Sequence, residues 1–400
     1  MGEVFTNGRV ILPDNIRDNV DVVVEDGRIV ALLASEDAAV VDRRYRAIDL
    51  RGNYLAPGFI DLHVHGAVGR DTMEASAEAF RAICDYHASG GTTSLLLTTA
   101  TAPLDHICAA LGAIRAGKIP QIVGAHVEGP FISREKAGAQ NVSFICQPTP
   151  DTVARFLGYG NMIKRITLAP EIGGALDAIK KFAASRVSLS GGHSDAWDDE
   201  ARAAFERGMR SVTHTFNCMS SARRRGVQRV AGLLEFALSE PAISCELIAD
   251  GHHVSATLMK MLYRAKGARG ICLVTDATAG AGLPNGTSFS LGGRDCVVEN
   301  GVCLLADRSA LAGSAASMID LVRTMVREGG VPVHEAVAMA STNPAREIGL
   351  SGKGEIAIGN DADLVVMTPE LEVEAVFVRG SLSFRAQRER SRAISSDSPG

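Results

Sequence analysis

Two histidines one residue apart, His63-Val64-His65, close the apolar run 58–62 of this sequence. In an extended strand, side chains alternate between faces, so both rings point to one side. Such a pair alone is weak evidence of a metal site, because histidine is often half-buried with its hydrogen bonds satisfied. Here it has company. Glu128, Glu171, His193, His214, His253 and Asp276 each follow another apolar, strand-like run. Imidazole and carboxylate together form the donor set expected for Zn²⁺ or Fe²⁺ with one coordination position left open. His63, His65, Glu128, His193 and His214 are therefore candidate ligands for one or two divalent metal ions per chain. Asp276 ends the strand-like run Cys272-Leu273-Val274-Thr275 and could simply cap a following helix. Beside a metal that lowers the pKa of water toward ~7, it has a sharper use: taking a proton during attack and returning it to a leaving amine. Amide hydrolysis needs that proton, since an amide anion is a poor leaving group. Nucleophile chemistry is less well served. There is no GxSxG elbow, Cys218 carries no motif marking it as a nucleophile, and neither a P-loop nor a GxGxxG fingerprint occurs.

These residues need a scaffold that brings strand ends together. Apolar runs at 58–62, 93–97, 122–127, 166–169, 187–190, 211–213, 245–249 and 271–275 alternate with helical stretches, the pattern of a parallel sheet. Eight such units close most simply into a (β/α)8 barrel, whose active site is assembled at the C-terminal strand ends. Residues 1–55 read instead as short strands and turns, including Asp26-Gly27, and the same texture returns at 354–356, 362–367 and 375–380. The expected organisation is an α/β protein with a small β-sandwich domain formed from both chain ends (1–55 with 350–385), a barrel over 56–349, and a solvated tail over 386–400.

Composition narrows the partners. Four hundred residues, 46% hydrophobic and 22% charged, can bury one large core and a smaller one. No apolar run approaches the ~20 residues of a spanning helix, and no leader-like succession of basic, apolar and small residues opens the chain. The eight cysteines are scattered and include no CxxC pair, so reduced thiols and a cytoplasmic location are expected. A net charge of −5 offers no long-range attraction to nucleic acid or an anionic membrane. The expected partner is a small molecule, with any anionic group met by a local basic cluster.

The stretch Pro57-Gly58-Phe59-Ile60-Asp61-Leu62-His63-Val64-His65-Gly66 resembles the opening of an amidohydrolase-superfamily barrel. Later motifs narrow the likeness: His126-Val127-Glu128-Gly129-Pro130-Phe131, Gly192-His193-Ser194-Asp195-Ala196, Thr213-His214-Thr215-Phe216-Asn217-Cys218-Met219 and Ala249-Asp250-Gly251-His252-His253-Val254. With Val274-Thr275-Asp276-Ala277-Thr278, Leu311-Ala312-Gly313-Ser314 and Asn343-Pro344-Ala345-Arg346, they resemble the N-acetylglucosamine-6-phosphate deacetylase family over about residues 3–380. The resemblance implies that Glu128, His193 and His214 hold the main metal and that His63 and His65 support a second. It further implies that Asp276 is the general acid/base, that His253 orients the substrate, and that Asn217 with the backbone at Cys218 helps hold phosphate. The substrate would be a phosphorylated amino sugar, and the assembly a homodimer. The fourth strand ends Ala169-Pro170-Glu171 without the lysine that bridges two metals in other superfamily members.

Two stretches depart from the family pattern. Gly138-Ala139-Gln140-Asn141 places Gln140 where the family usually offers a histidine to the substrate carbonyl. Gln140 could donate an amide N–H there, or lie on a loop that never reaches the site. The arginine loop reads Arg223-Arg224-Arg225-Gly226-Val227-Gln228-Arg229, with Arg225 or Arg224 as the phosphate ligand and a solvated charge run as the plainer reading. Related substrates, such as N-acetylgalactosamine-6-phosphate or another N-acyl amine, stay open. A metal-free, non-catalytic paralogue is the remaining alternative, against which the retention of all five ligands and Asp276 argues.

Overall fold

The expected apolar runs pair with one another because each strand, covered by helices on one side and filled by side chains on the other, has no face left for water. In a computed structural model, which describes residues 2–34 and 45–387, the strands Phe59–Val64, Thr92–Thr99, Ile122–Glu128, Ile163–Leu168, Ser188–Gly191, Ser211–Val212, Ser244–Leu247 and Ile271–Leu273 form one parallel sheet in chain order. The circle closes where the Asp276 N–H donates to the His63 carbonyl and the His65 N–H to that of Ala277, both at 2.9 Å. Strands seven and eight end at Leu247 and Leu273, two residues earlier than expected, because the following residues leave the ladder to build loops at the barrel mouth. The first helix shows how the outer layer is specified. Ser76 caps Ala77–Ser89 by accepting from the Ala79 N–H, and Ala79, Phe80, Ile83, Cys84 and His87 fall at helical spacing on the buried face.

Both chain ends build the sandwich. One sheet orders Arg28–Ala34, Val20–Glu25, Gly2–Thr6 and Tyr45–Asp49; the other orders Ser381–Arg385, Val373–Val378, Leu364–Met367, Tyr54–Pro57, Arg9–Ile11 and Ile16–Arg17. Their inward faces share a core of Phe5, Val22, Val24, Leu55, Leu364 and Phe377, with the Phe5 and Phe377 rings edge-on at 5.1 Å. Tyr54–Pro57 runs directly into the first barrel strand, and the Gly58 N–H donates to the Asp363 carbonyl at 2.8 Å. The sandwich thus anchors the base of the strand that carries His63 and His65. From residue 388 onward, the expected tail lies outside the described residues.

A three-stranded antiparallel sheet, Ser288–Leu291, Arg294–Glu299 and Val302–Leu305, was not foreseen. It follows the eighth strand and reaches the barrel mouth, where Arg294 Nη1 donates to the Gly138 carbonyl at 3.1 Å and Asn141 Nδ2 to that of Gly292 at 3.2 Å. The Asn343 motif serves the opposite end: its Nδ2 donates to the carbonyls of Ala268 (2.8 Å) and Ile271 (2.7 Å), pinning the start of the eighth strand. All eight cysteines are free, and no helix among the described residues is long and apolar enough to cross a membrane.

His87 gives the fold a testable acid sensitivity. Burial pushes its ring down to about 4 from 6.5, opposed only in part by its hydrogen bond to the Gly66 carbonyl. An unfolded chain takes up the proton near 6.5 and the folded one near 4, so stability is lost as pH falls through that window, by roughly 3 kcal/mol in all. His87→Gln should lose less stability than wild type between pH 7 and 4.5, measured as urea midpoints; parallel pH profiles would refute the assignment.

Candidate active site

The site is built around one carboxylate. Glu128, 2% exposed at the end of the third strand, has Oε1 3.2 Å from the Nε2 atoms of both His193 and His214 and 3.4 Å from that of His63. Its Oε2 lies 3.2 Å from His65 Nε2. Two trios of donors, His63–His65–Glu128 and Glu128–His193–His214, share this residue, and each gathers its ligand atoms within 4.8 Å. Asp276 Oδ1 stands 3.3 Å from His63 Nε2 and 3.4 Å from His65 Nε2. Three of these residues pay for their placement: His193, His214 and Asp276 hold left-handed backbone, with φ of 46°, 30° and 49°. For residues other than glycine such conformations cost roughly 1–3 kcal/mol each and persist where the surroundings enforce them.

The arrangement fits a divalent metal. The Nδ1 atoms of His193 and His214 lie 2.8 Å from the Lys136 carbonyl and 3.1 Å from that of Asn217, so both rings can keep their proton there and turn Nε2 inward. Burial alone would raise Glu128 and lower His63. Instead the surrounding imidazoles hold Glu128 well below the usual carboxylate range, while Asp276 and Glu128 hold His63 well above its usual value. The centre is thus a buried, water-poor place that favours positive charge.

A cavity of about 220 Å³ opens above this cluster. His65, Glu128, His193, His214 and Asp276 form its floor, whereas His63 is wholly buried behind them. Asn217, Cys218 and His253 line its walls with Gln140. Asp250, which the sequence reading passed over, accepts from the His252 and His253 backbone and lies 2.7 Å from His253 Nδ1, orienting that ring. Although burial works the other way, these bonds hold Asp250 below its usual pKa. Glu171 is not a ligand: it accepts from Ser194 Oγ at 2.7 Å and the Asp195 N–H at 2.6 Å, bracing the turn that follows His193. A larger cavity of about 440 Å³, lined by sandwich residues including Arg51, Glu374 and Arg385, contains no such donor set.

Two expectations change. Gln140 does reach the site, but its Nε2 donates to Glu128 Oε2 at 2.5 Å and its Oε1 accepts the Thr101 N–H at 2.7 Å, leaving only one amide N–H for anything in the cavity. Arg224 and Arg225 do not reach the cavity, and no lysine or arginine lines it among the described residues. Arg223–Arg225 pairs with Gln228–Val230 in an exposed hairpin; strand alternation sets Arg223 and Arg225 over the Trp197 ring at 3.9 and 5.2 Å, and Arg225 pairs with Asp199 at 3.1 Å. Glu246, Arg165 and Asp61 were also missed, all fully buried charges on barrel strands. The available signal was a charge inside an otherwise apolar strand, which implies a buried partner.

A (β/α)8 barrel with histidines and carboxylates gathered at its C-terminal strand ends defines a hydrolase of the amidohydrolase class, and the amidohydrolase family model matches residues 54–382. The chain belongs, within that class, to the N-acetylglucosamine-6-phosphate deacetylase family. It is 34% identical over 386 residues to N-acetylglucosamine-6-phosphate deacetylase of Lysinibacillus sphaericus, covering 95% of this chain and 97% of that one. It is 32% identical to N-acetylgalactosamine-6-phosphate deacetylase of Escherichia coli O157:H7, covering 96% and 100%. The crystal structure of N-acetylglucosamine-6-phosphate deacetylase from Pasteurella multocida superposes with a TM-score of 0.89 at 31% identity, covering 96% and 99%.

Because Gln140 links Glu128 to the backbone at Thr101, Gln140→Ala should cost on the order of tenfold or more in kcat/KM, the equivalent of one charge-assisted hydrogen bond. An unchanged kcat/KM would make the contact incidental.

Proposed function

We propose that this protein removes the acetyl group from the nitrogen of N-acetylglucosamine-6-phosphate, releasing glucosamine-6-phosphate and acetate. The observation that carries this reading is Glu128 shared between two histidine pairs with the Asp276 carboxylate beside them, in a chain related throughout its length to deacetylases of that name. Glu128, His193 and His214 would hold one metal, His63 and His65 with Glu128 a second. Zn²⁺ or Fe²⁺ suits the donor set, and when bound it supplies a Lewis acid for the amide carbonyl and lowers the pKa of water.

The chain's own residues carry the rest. Asp276 takes the proton of the attacking water and returns it to the departing amine nitrogen, which leaves neutral. Asp250 holds His253 so that Nε2 faces the sugar, and Asn217 with the Cys218 backbone N–H meets the phosphate. Leu291 and Leu311 give the cavity an apolar wall. A cytoplasmic homodimer with a sandwich domain (1–55 with 350–385) beside the barrel (56–349) completes the reading, supported by eight free thiols and by the family resemblance. N-acetylgalactosamine-6-phosphate is the second substrate to assay, since a relative 32% identical bears that name.

Asp276→Asn should retain metal and fold yet lose 10²–10⁴-fold in kcat, because the amide can neither accept nor return a proton. Near-normal turnover would remove Asp276 from this role. Arg224→Ala and Arg225→Ala test the phosphate reading. If the hairpin meets the phosphate from outside this chain's own cavity, KM should rise for the phosphorylated sugar well above any rise for N-acetylglucosamine. Equal effects on both would leave Arg225 as a partner of Trp197 and Asp199 and Arg224 as a partner of the hairpin's own Val227 carbonyl.

A further inference from the structure

The seventh barrel strand, Ser244–Leu247, carries a single charged side chain, Glu246, which is 1% exposed. A carboxylate so buried persists only if paired. Glu246 Oε2 lies 3.3 Å from His63 Nδ1 and accepts the His214 backbone N–H at 3.1 Å, so one oxygen touches a member of each donor trio. Its Oε1 forms an ion pair at 2.9 Å with Nη2 of Arg165, a fully buried residue of the fourth strand. Arg165 in turn donates to Ser190 Oγ at 2.9 Å and pairs with Glu347 at 3.2 Å. His63 is the member of its trio whose second ring nitrogen meets a carboxylate; that of His65 is buried without a partner.

We propose that Glu246, held in place by Arg165, is a positioning residue that accepts a hydrogen bond from the Nδ1–H of His63, leaves the Nε2 lone pair facing a divalent cation, and thereby sets occupancy of the His63–His65–Glu128 position. This rests on the metal-dependent reading above. The alternative is that Glu246 merely neutralises Arg165. Glu246→Gln separates the two. Arg165 would keep its carboxylate partner Glu347 and would draw the glutamine carbonyl toward itself. The glutamine N–H would then face His63 Nδ1 and force that nitrogen to accept. His63 would carry its proton on Nε2, where a metal must bind, so the change acts on the ligand atom while Arg165 keeps Glu347 as its counter-charge.

The test is metal binding by the full-length chain, read by chelator competition with Zn²⁺ and by ¹¹³Cd NMR of cadmium-loaded protein. Wild type should bind two metals with two cadmium signals. Glu246→Gln should weaken the His63–His65–Glu128 position by 10–100-fold, the range typical of lost outer partners of metal-bound histidines, and the other position, where His214 loses a backbone hydrogen bond but keeps its ring partner, clearly less. Its kcat should fall at limiting Zn²⁺ and recover with excess, which a purely structural role would not allow. Glu246→Asp, which keeps the charge on a shorter arm, should fall between. Should Glu246→Gln fail to fold, adding Arg165→Met removes the opposing charge and the same readouts apply. Two metals bound equally tightly in wild type and variant would overturn this inference and leave the proposed function standing. One metal in wild type, matched by the variant, would overturn both this inference and the two-metal reading.

Discussion

A buried carboxylate amid four imidazoles is unstable on its own terms, and the barrel mouth is organised around keeping Glu128 in that position. Desolvation opposes its charge, and the Nε2 atoms of His63, His65, His193 and His214, all within 3.4 Å, offset that cost together with the Gln140 amide. Those nitrogens come from the first, fifth and sixth strand ends, so the cluster exists only when the barrel is closed. The left-handed backbone at His193 and His214 is the local cost of turning both rings inward.

Closure is secured where the first strand meets the eighth. The Asp61 carboxyl accepts the Thr275 hydroxyl at 2.6 Å and backbone N–H groups of His63 and Thr275, tying the histidine pair to the strand that delivers Asp276. Burial raises this carboxyl to about 7 despite those bonds. Gly313 completes the joint from the other side: its φ is 66°, and a Cβ there would lie 2.6 Å from the Asp276 carbonyl oxygen. The sandwich holds the opposite end of the first strand through Gly58 and Asp363, which links the chain termini to the position of the site.

The substrate side follows a different logic. The ligands stand on strand ends, while Gln140, Asn217, His253 and Leu311 stand on loops, and their placement depends on contacts between segments remote in sequence. The three-stranded sheet over 288–305 illustrates this, since it braces the Gly138–Asn141 loop through Arg294 and Asn141 and contributes Leu291 to the cavity wall. Among the described residues the cavity has no cationic lining, and its polar walls include Gln140, Asn217 and His253.

The order of strands, the closed barrel and the identity of the cluster were legible in the sequence, because apolar runs can be counted and a parallel sheet puts polar strand-end residues on one rim. The period of two in His63-Val64-His65 fixed which way those rings turn. What sequence could not decide were interactions whose partners lie on other elements. Glu246 and Arg165 each show as a charge in an apolar strand, yet their pairing spans two strands set three apart around the barrel. Gln140 could be placed near the site by motif, but its choice of Glu128 and Thr101 over open cavity depends on loop geometry. The arginine run reads equally as a phosphate clamp or a solvated surface; Trp197 and Asp199 decide where it lies in this chain, because an aromatic face and a carboxylate supplied by another element hold the hairpin away from the cavity.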